Sequence, residues 1–227
     1  MKYLNTYKLF ESKIDNQFFQ TYKETKDWLE KTKIKNYIIN NDLTVDDDVI
    51  ITKQNLIKIP VQFNTVKGFF DCSNNALVSL KGSPKNLITN DSPSIDWEQS
   101  LCGFYCNNNQ LKTLEYCPKY VGVDFLGFSN NIINFNGFPD LDTIKRIDLS
   151  YNPVHEFMKK LGPNDGWLYA NDDHNKLRIK LIGYLIEHNV LKDNKIIIEN
   201  LKEVLYMMDL KLKLNSLKNL KDYIIIE

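Results

Sequence analysis

Four cysteines, three histidines and a run of three aspartates are the residues from which this chain could build a reactive or metal-binding site. A thiol enzyme needs a cysteine with a base beside it. Cys72 and Cys106 instead stand at alternating, inward strand positions, which predicts core residues. Cys102, Cys106 and Cys117 could supply three metal ligands, but they lack the paired Cys-x2-Cys spacing of a zinc site. His155, His174 and His188 belong to no metal-binding motif, and no phosphate-binding loop or Gly-x-Ser-x-Gly elbow is present. Asp46, Asp47 and Asp48 lack the alternating ligands, turn glycine and distal glutamate of a calcium loop, so they predict a solvated acidic turn. No catalytic residue, metal ligand or cofactor is therefore assigned. The expectation is a binding protein rather than an enzyme.

Bulk properties narrow the partner. Lys plus Arg (29) balance Asp plus Glu (29), which argues against nucleic acid or an anionic membrane as the main target. At 227 residues the chain is one large domain, or one core with two flanking units. The first residues carry no apolar run of a secretory signal and no segment reaches membrane-spanning length. Free thiols, a cytoplasmic location and a monomer are the matching expectations.

The elements that would position any site come from an internal repeat. Five units align as Val49-x-Ile51-x-x-Gln54, Phe70-x-Cys72-x-x-Asn75, Phe104-x-Cys106-x-x-Asn109, Leu126-x-Phe128-x-x-Asn131 and Ile147-x-Leu149-x-x-Asn152. An apolar residue follows each at fixed spacing, except in the fourth unit, which reads one residue short. The polar positions lie 21, 34, 22 and 21 residues apart. One insertion, 88–100, explains the long interval. Each unit predicts a short strand, an inward asparagine that bonds the turns above and below, and a return path too short for a helix. The return path should be extended or 3₁₀. One coil cannot bury its own apolar layer, so the units must stack.

Flanking segments have a different periodicity. Residues 1–47 predict an amphipathic helix from Asp15 to about Lys33 and a hairpin over Tyr37–Val45. Residues 163–227 predict helices after Asn171 and from about Glu199, a strand near Leu210–Leu214, and a terminal strand at Tyr223–Glu227. The chain thus divides into 1–47, repeats over 48–162, and 163–227.

The units resemble the leucine-rich repeat pattern Leu-x-x-Leu-x-Leu-x-x-Asn-x-Leu, matched most fully by Ile144 to Val154. That resemblance implies an α/β fold: a right-handed solenoid with parallel strands on a concave face, an N-terminal helical cap and a C-terminal α+β cap. Pro118 to Phe125, with Ser-Asn-Asn following, resembles a narrower group, the short-repeat proteins of large tailed bacteriophages and their bacterial relatives. Lys2, Tyr7, Leu9, Phe10 and Glu11 resemble a capsid-packaging leader, which implies cleavage after Glu11 and packaging in a virion.

Leucine-rich repeats bind partners on the concave face. The register puts Phe69, Asp71, Tyr105, Asn107, Phe125, Asp148 and Tyr151 there, and the aromatic side chains suggest a protein partner. The 88–100 loop, with Asp96, Trp97 and Glu98, is a second candidate surface. The expected function is host-directed protein–protein interaction. The rival readings are a virion structural or assembly protein, and a hydrolase or nuclease built from the insertion and the C-terminal unit.

Overall fold

Asparagine side chains set the pitch of this structure. In the computed structural model, which describes residues 18–19, 21–40, 42–88, 103–122, 124–161, 172–211 and 214–226, Asn75, Asn109, Asn130 and Asn152 form a ladder. Each Nδ2 donates to a backbone carbonyl of its own turn and to one of the preceding turn. For Asn109 these are Cys106 O at 3.0 Å and Cys72 O at 3.1 Å. Its Oδ1 accepts from Leu77 N at 2.9 Å. Asn152 repeats the scheme with Leu149 O, Gly127 O and Ile132 N, all at 2.9 Å. Backbone groups that no strand ladder reaches are thereby satisfied.

The residue before each ladder asparagine is left-handed, as is Lys53 before Gln54: Asn74, Asn108, Ser129, Tyr151 and Lys53 have φ of 56°, 54°, 53°, 57° and 57°. Asparagine tolerates this region best, because its short amide bonds locally. The Asn74–Asn75 and Asn108–Asn109 pairs therefore have two separate duties. The first asparagine turns the chain, and the second ties adjacent turns together.

Helix α1 (Tyr22–Lys31) opens the described chain. Thr21 and Glu24 form a reciprocal capping box that starts this helix at Tyr22, and Asp15, where the expected helix begins, lies outside the described residues. Phe18 and Phe19 precede it. Its apolar side buries Leu29 and brings Trp28 within 6.4 Å of Phe63, ring centre to ring centre. The expected hairpin follows as β1 (Tyr37–Ile39) and β2 (Leu43–Val45), paired antiparallel.

From β2 the chain alternates between two sheets. It passes from β2 to β3 (Val49–Ile50), returns through β4 (Phe63–Lys67) to β5 (Phe70–Asp71), and returns again through β6 (Asn86–Ile88) to β7 (Gly103–Tyr105). Two further strands, β8 (Asp124–Leu126) and β9 (Arg146–Asp148), complete the second sheet. That sheet has the order β3-β5-β7-β8-β9 and is parallel throughout. The other runs β1-β2-β4-β6, parallel from β2 onward. The result is a β-solenoid of about four turns. The return paths are extended in the early turns and 3₁₀ at Leu141–Thr143, as the short repeat length requires.

The register corrects the fourth unit. Phe104 pairs with Phe125 and Tyr105 with Leu126, so the inward residues are Phe125 and Gly127, not Leu126 and Phe128. Asn130, not Asn131, occupies the ladder. The unit then reads Phe125-x-Gly127-x-x-Asn130-x-Ile132-x-x-Phe135 and is no longer short. Phe125 is fully buried. Its ring lies 6.1 Å from Phe104 and 5.5 Å from Phe138. Phe63, Phe70, Phe104 and Phe125 form a continuous aromatic column inside the coil. Such ring pairs add to the stabilisation from burial itself.

After the last ladder asparagine the chain forms helix α2 (Pro153–Leu161). Pro153 suits a first helical position, Glu156 lies in the first turn, and Lys159 and Lys160 close the last. Val154, Phe157, Met158 and Leu161 are its buried apolar stripe. Helices α3 (Asp172–Glu187) and α4 (Ile198–Met207) follow, with β10 (Leu191–Lys192), β11 (Lys195–Ile197) and β12 (Ile224–Ile226) as a small mixed sheet. The expected strand at Leu210–Leu214 is not among the described elements; a 3₁₀ segment spans Leu214–Asn219. The C-terminal unit meets the coil through backbone acceptors. Tyr223 OH donates to Ile133 O at 2.8 Å, and Arg178 Nη1 donates to Ile147 O at 2.7 Å. No described helix is long and apolar enough to cross a membrane.

Candidate functional site

The outer face of the five-stranded sheet collects the residues that alternate with the aromatic column. Its central row is Ile50, Asp71, Tyr105, Leu126 and Asp148. The row before it begins at Asp48 and Phe69 and continues through Gly103, Asp124 and Arg146. Phe69 and Tyr105, which the 34-residue interval separates, stack with centroids 5.9 Å apart and planes 28° apart. Both rings are half-buried.

Gly103 makes that arrangement possible. A Cβ there would lie 2.7 Å from Tyr105 Cε1 and 2.9 Å from Asp124 O. The Tyr105 ring therefore lies back over Gly103, against Phe69. Asp71 faces Tyr105 directly across the β5–β7 pair. Its Oδ1 accepts from Ser73 N at 2.9 Å, which fixes the carboxylate at the strand end. Arg146 and Asp124 form an ion pair on the same face. Asp48 Oδ1 accepts from Phe69 N at 2.9 Å, an approach that requires glycine at Gly68, whose φ is 147°. The acidic turn is thus part of the frame as well as solvated: Asp46 pairs with Lys67 at 3.0 Å, and Asp47 accepts from Asn36 Nδ2 at 3.0 Å.

The seven residues expected on this surface separate into groups. Phe69, Asp71, Tyr105 and Asp148 lie together on it. Tyr151 is 77% exposed at the end of β9, on the left-handed turn. Asn107 is buried. Phe125 belongs to the core, and Leu126 takes the outward place at that strand. Asp124 and Arg146 are additions; their in-register pairing followed only from the corrected fourth unit. Asp96, Trp97, Glu98 and Glu11 lie outside the described residues.

The three described thiols show no activating surroundings, and Cys102 lies outside the described residues. Cys72, Cys106 and Cys117 are free, and burial pushes each thiol well above its ordinary value, with mutual repulsion among the three adding to it. A raised value keeps them protonated and poorly nucleophilic. Among the described residues, no group of three or more His, Cys, Asp or Glu side chains could hold a metal ion.

A second polar group lies where α2 and α3 meet the last strand. Among the described residues, His155 is buried with no hydrogen-bond partner for Nδ1, which lies 3.7 Å from Glu156 Oε1, and Arg178 is buried with no hydrogen-bond partner for Nε and Nη2. Burial lowers the His155 pKa first; Glu156 and Asp148 raise it, and Lys159 and Arg178 lower it. The folded protein thus holds His155 neutral, while the unfolded chain binds its proton at about pH 6.5. Its contribution to stability is complete above that pH and declines as pH falls toward the depressed folded value. Urea midpoints should therefore drop between about pH 7 and pH 5, and His155→Gln should flatten part of that slope. Equal slopes for the two proteins would place the acid sensitivity elsewhere.

No known family model, characterised protein or solved structure matches this chain.

Proposed function

We propose that this chain is a right-handed leucine-rich-repeat solenoid that binds a protein partner on the concave face of its five-stranded sheet. Helix α1 caps one end and the C-terminal α+β unit caps the other. The observation that carries the reading is the stacked Phe69–Tyr105 pair, half-exposed on the outward side of a regular parallel sheet. Aromatic side chains on a rigid scaffold offer a large contact area at small entropic cost, and they anchor interface centres. The spacing of the ladder asparagines and their apolar followers supports the repeat class. The resemblance of Pro118 to Phe125 to phage and bacterial repeat proteins supports a phage-encoded, host-directed role.

The test is selection of binders from a random-peptide display library against the intact protein. Selected peptides should lose about tenfold or more in affinity to the Phe69→Ala/Tyr105→Ala variant. They should keep their affinity for Tyr206→Ala, which removes a ring that is 88% exposed and on another element. Peptides that bind the double variant as tightly as the wild type would remove this face from the reading.

A further inference from the structure

We propose that α3 is a latch poised to open: it covers the free edge of β9, and its junction with the coil holds buried polar groups that gain partners only when it lifts off. The inference concerns the end of the sheet and is independent of the face-binding reading above.

Three observations lead to it. The first is where Arg178 binds. Asp148 O and Ser150 O accept from Gly127 N and Ser129 N, so these carbonyls face β8. The Ile147 carbonyl alternates with them and faces the other way, off the last strand of the five-stranded sheet. Arg178 Nη1 donates to it there at 2.7 Å, and α3 lies against β9. An unpaired strand edge is a template for pairing with another chain. This edge is closed by a helix and a side chain rather than by a further strand.

The second is where the unsatisfied groups collect. Among the described residues, five buried side-chain nitrogen or oxygen atoms have no hydrogen-bond partner: Ser83 Oγ in the coil, then His155 Nδ1, Arg178 Nε, Arg178 Nη2 and Ser216 Oγ. Four of the five therefore belong to α2, α3 and the 3₁₀ segment Leu214–Asn219, which packs against α2. His155 and Arg178 are close enough for their charges to interact. The ladder asparagines, by contrast, have partners for both amide atoms. Buried polar groups without partners mark the junction as the place where the packing is least favourable.

The third is the chemistry of Arg178 itself. Nε and Nη2 form the side of a guanidinium that grips a carboxylate with two parallel bonds, and that side has no partner among the described residues. No ion pair joins Arg178 to a described carboxylate. Asp148 favours its charge from nearby, but Asp148 Oδ1 is held by Ser150 N at 2.8 Å, and burial outweighs it, lowering the Arg178 pKa. A buried charge without a counter-ion is less favourable than an apolar side chain of similar size. Lifting α3 returns water to these groups. That gain offsets part of the cost of exposing Leu181, Ile182 and Leu185, so α3 opens as a local event with the ladder intact.

Hydrogen exchange of the full chain, followed by mass spectrometry, tests the latch. Relative to the rates of the unfolded chain, peptides from α3 should exchange about tenfold or more faster than peptides from β5, β7 and β8. Their exchange should also depend less steeply on urea, because a local opening exposes less surface than global unfolding. Arg178→Met keeps an apolar side chain in place and removes the charge. It leaves Ile147 O without its donor, a smaller cost than that of the unpaired guanidinium. It should therefore slow α3 exchange about tenfold and leave β5, β7 and β8 unchanged. Ser83→Ala, at the unsatisfied hydroxyl in the coil, should leave α3 unchanged. Equal protection and equal urea dependence of α3 and these strands in the wild type would overturn the latch without recourse to any variant. Unchanged or faster α3 exchange in Arg178→Met would also overturn it, because the guanidinium would then be neutral or would hold the helix down.

Discussion

Asn130→Ala should destabilise the protein by about 2–4 kcal/mol, while Asn131→Ala should change stability by no more than about 0.5 kcal/mol. The two residues are adjacent and identical, and only their placement differs. Asn130 is buried, with Oδ1 accepting from Leu111 N at 3.0 Å and Nδ2 donating to Cys106 O at 3.0 Å and Gly127 O at 3.2 Å. Alanine leaves the Leu111 donor without a partner in the interior, whereas Cys106 O keeps Asn109 Nδ2 and Gly127 O keeps Asn152 Nδ2 as donors. The abandoned donor costs about 1–3 kcal/mol, each of the two lost carbonyl bonds about 0.5–1.5 kcal/mol, and water entering from the turn recovers part of that. Asn131 is exposed, and its structural bond is the backbone N–H to Leu111 O at 2.9 Å, which alanine retains. Because adjacent turns stabilise one another, the loss at Asn130 should spread to both neighbours. Thermal and urea unfolding of the two variants measure it. The expected fall in Tm for Asn130→Ala is about 5–10 °C. The reverse order of the two variants would restore Asn131 to the ladder and shift the whole fourth unit by one residue.

The ambiguity at that unit has a physical origin. The template asks for two apolar residues, one apart, facing inward. Leu126 and Phe128 satisfy it better by composition than Phe125 and Gly127 do. Gly127 is inward without a side chain because its neighbours fill the space: a Cβ there would meet Phe125 Cε1 at 3.2 Å and Leu149 Cδ2 at 3.3 Å. A signal for the right register was nevertheless available. Only Asn130 keeps Ile132, Phe135 and Pro139 at the spacings seen after Asn75 and Asn109. Helix α2 was legible too, from Pro153, Glu156 and the apolar spacing, but Val154 and Phe157 also fit the repeat template and concealed it.

The stacked architecture, its return paths and four of the seven proposed surface residues followed from period alone, because a coil has only an inside and an outside. The Phe69–Tyr105 contact did not. It joins side chains across the insertion and depends on Gly103 leaving room for the tyrosine ring, which a repeat template does not encode. The buried state of Asn107 was equally hidden, because the position is outward in the template and neighbouring side chains decide its exposure.

Phe125→Ala should cost about 3–5 kcal/mol, comparable with the loss expected at Asn130. The ring is fully buried between Phe104 and Phe138, so alanine leaves a cavity at the centre of the aromatic column. Removing the ring also breaks two aromatic contacts, and the Cβ-less Gly127 beside it offers no side chain to refill the space. Domains of this size have a total stability of about 5–15 kcal/mol, so a substantial unfolded fraction in mild urea is expected. Tyr105→Ala, at a half-exposed position, should lose far less. Urea titrations with matched slopes separate the two. The contrast decides which variants can test binding: a partner lost on Phe125→Ala reports a damaged core, and one lost on Tyr105→Ala reports the surface. A Phe125→Ala protein as stable as the wild type would place the ring outside the core and return the residue to the binding face.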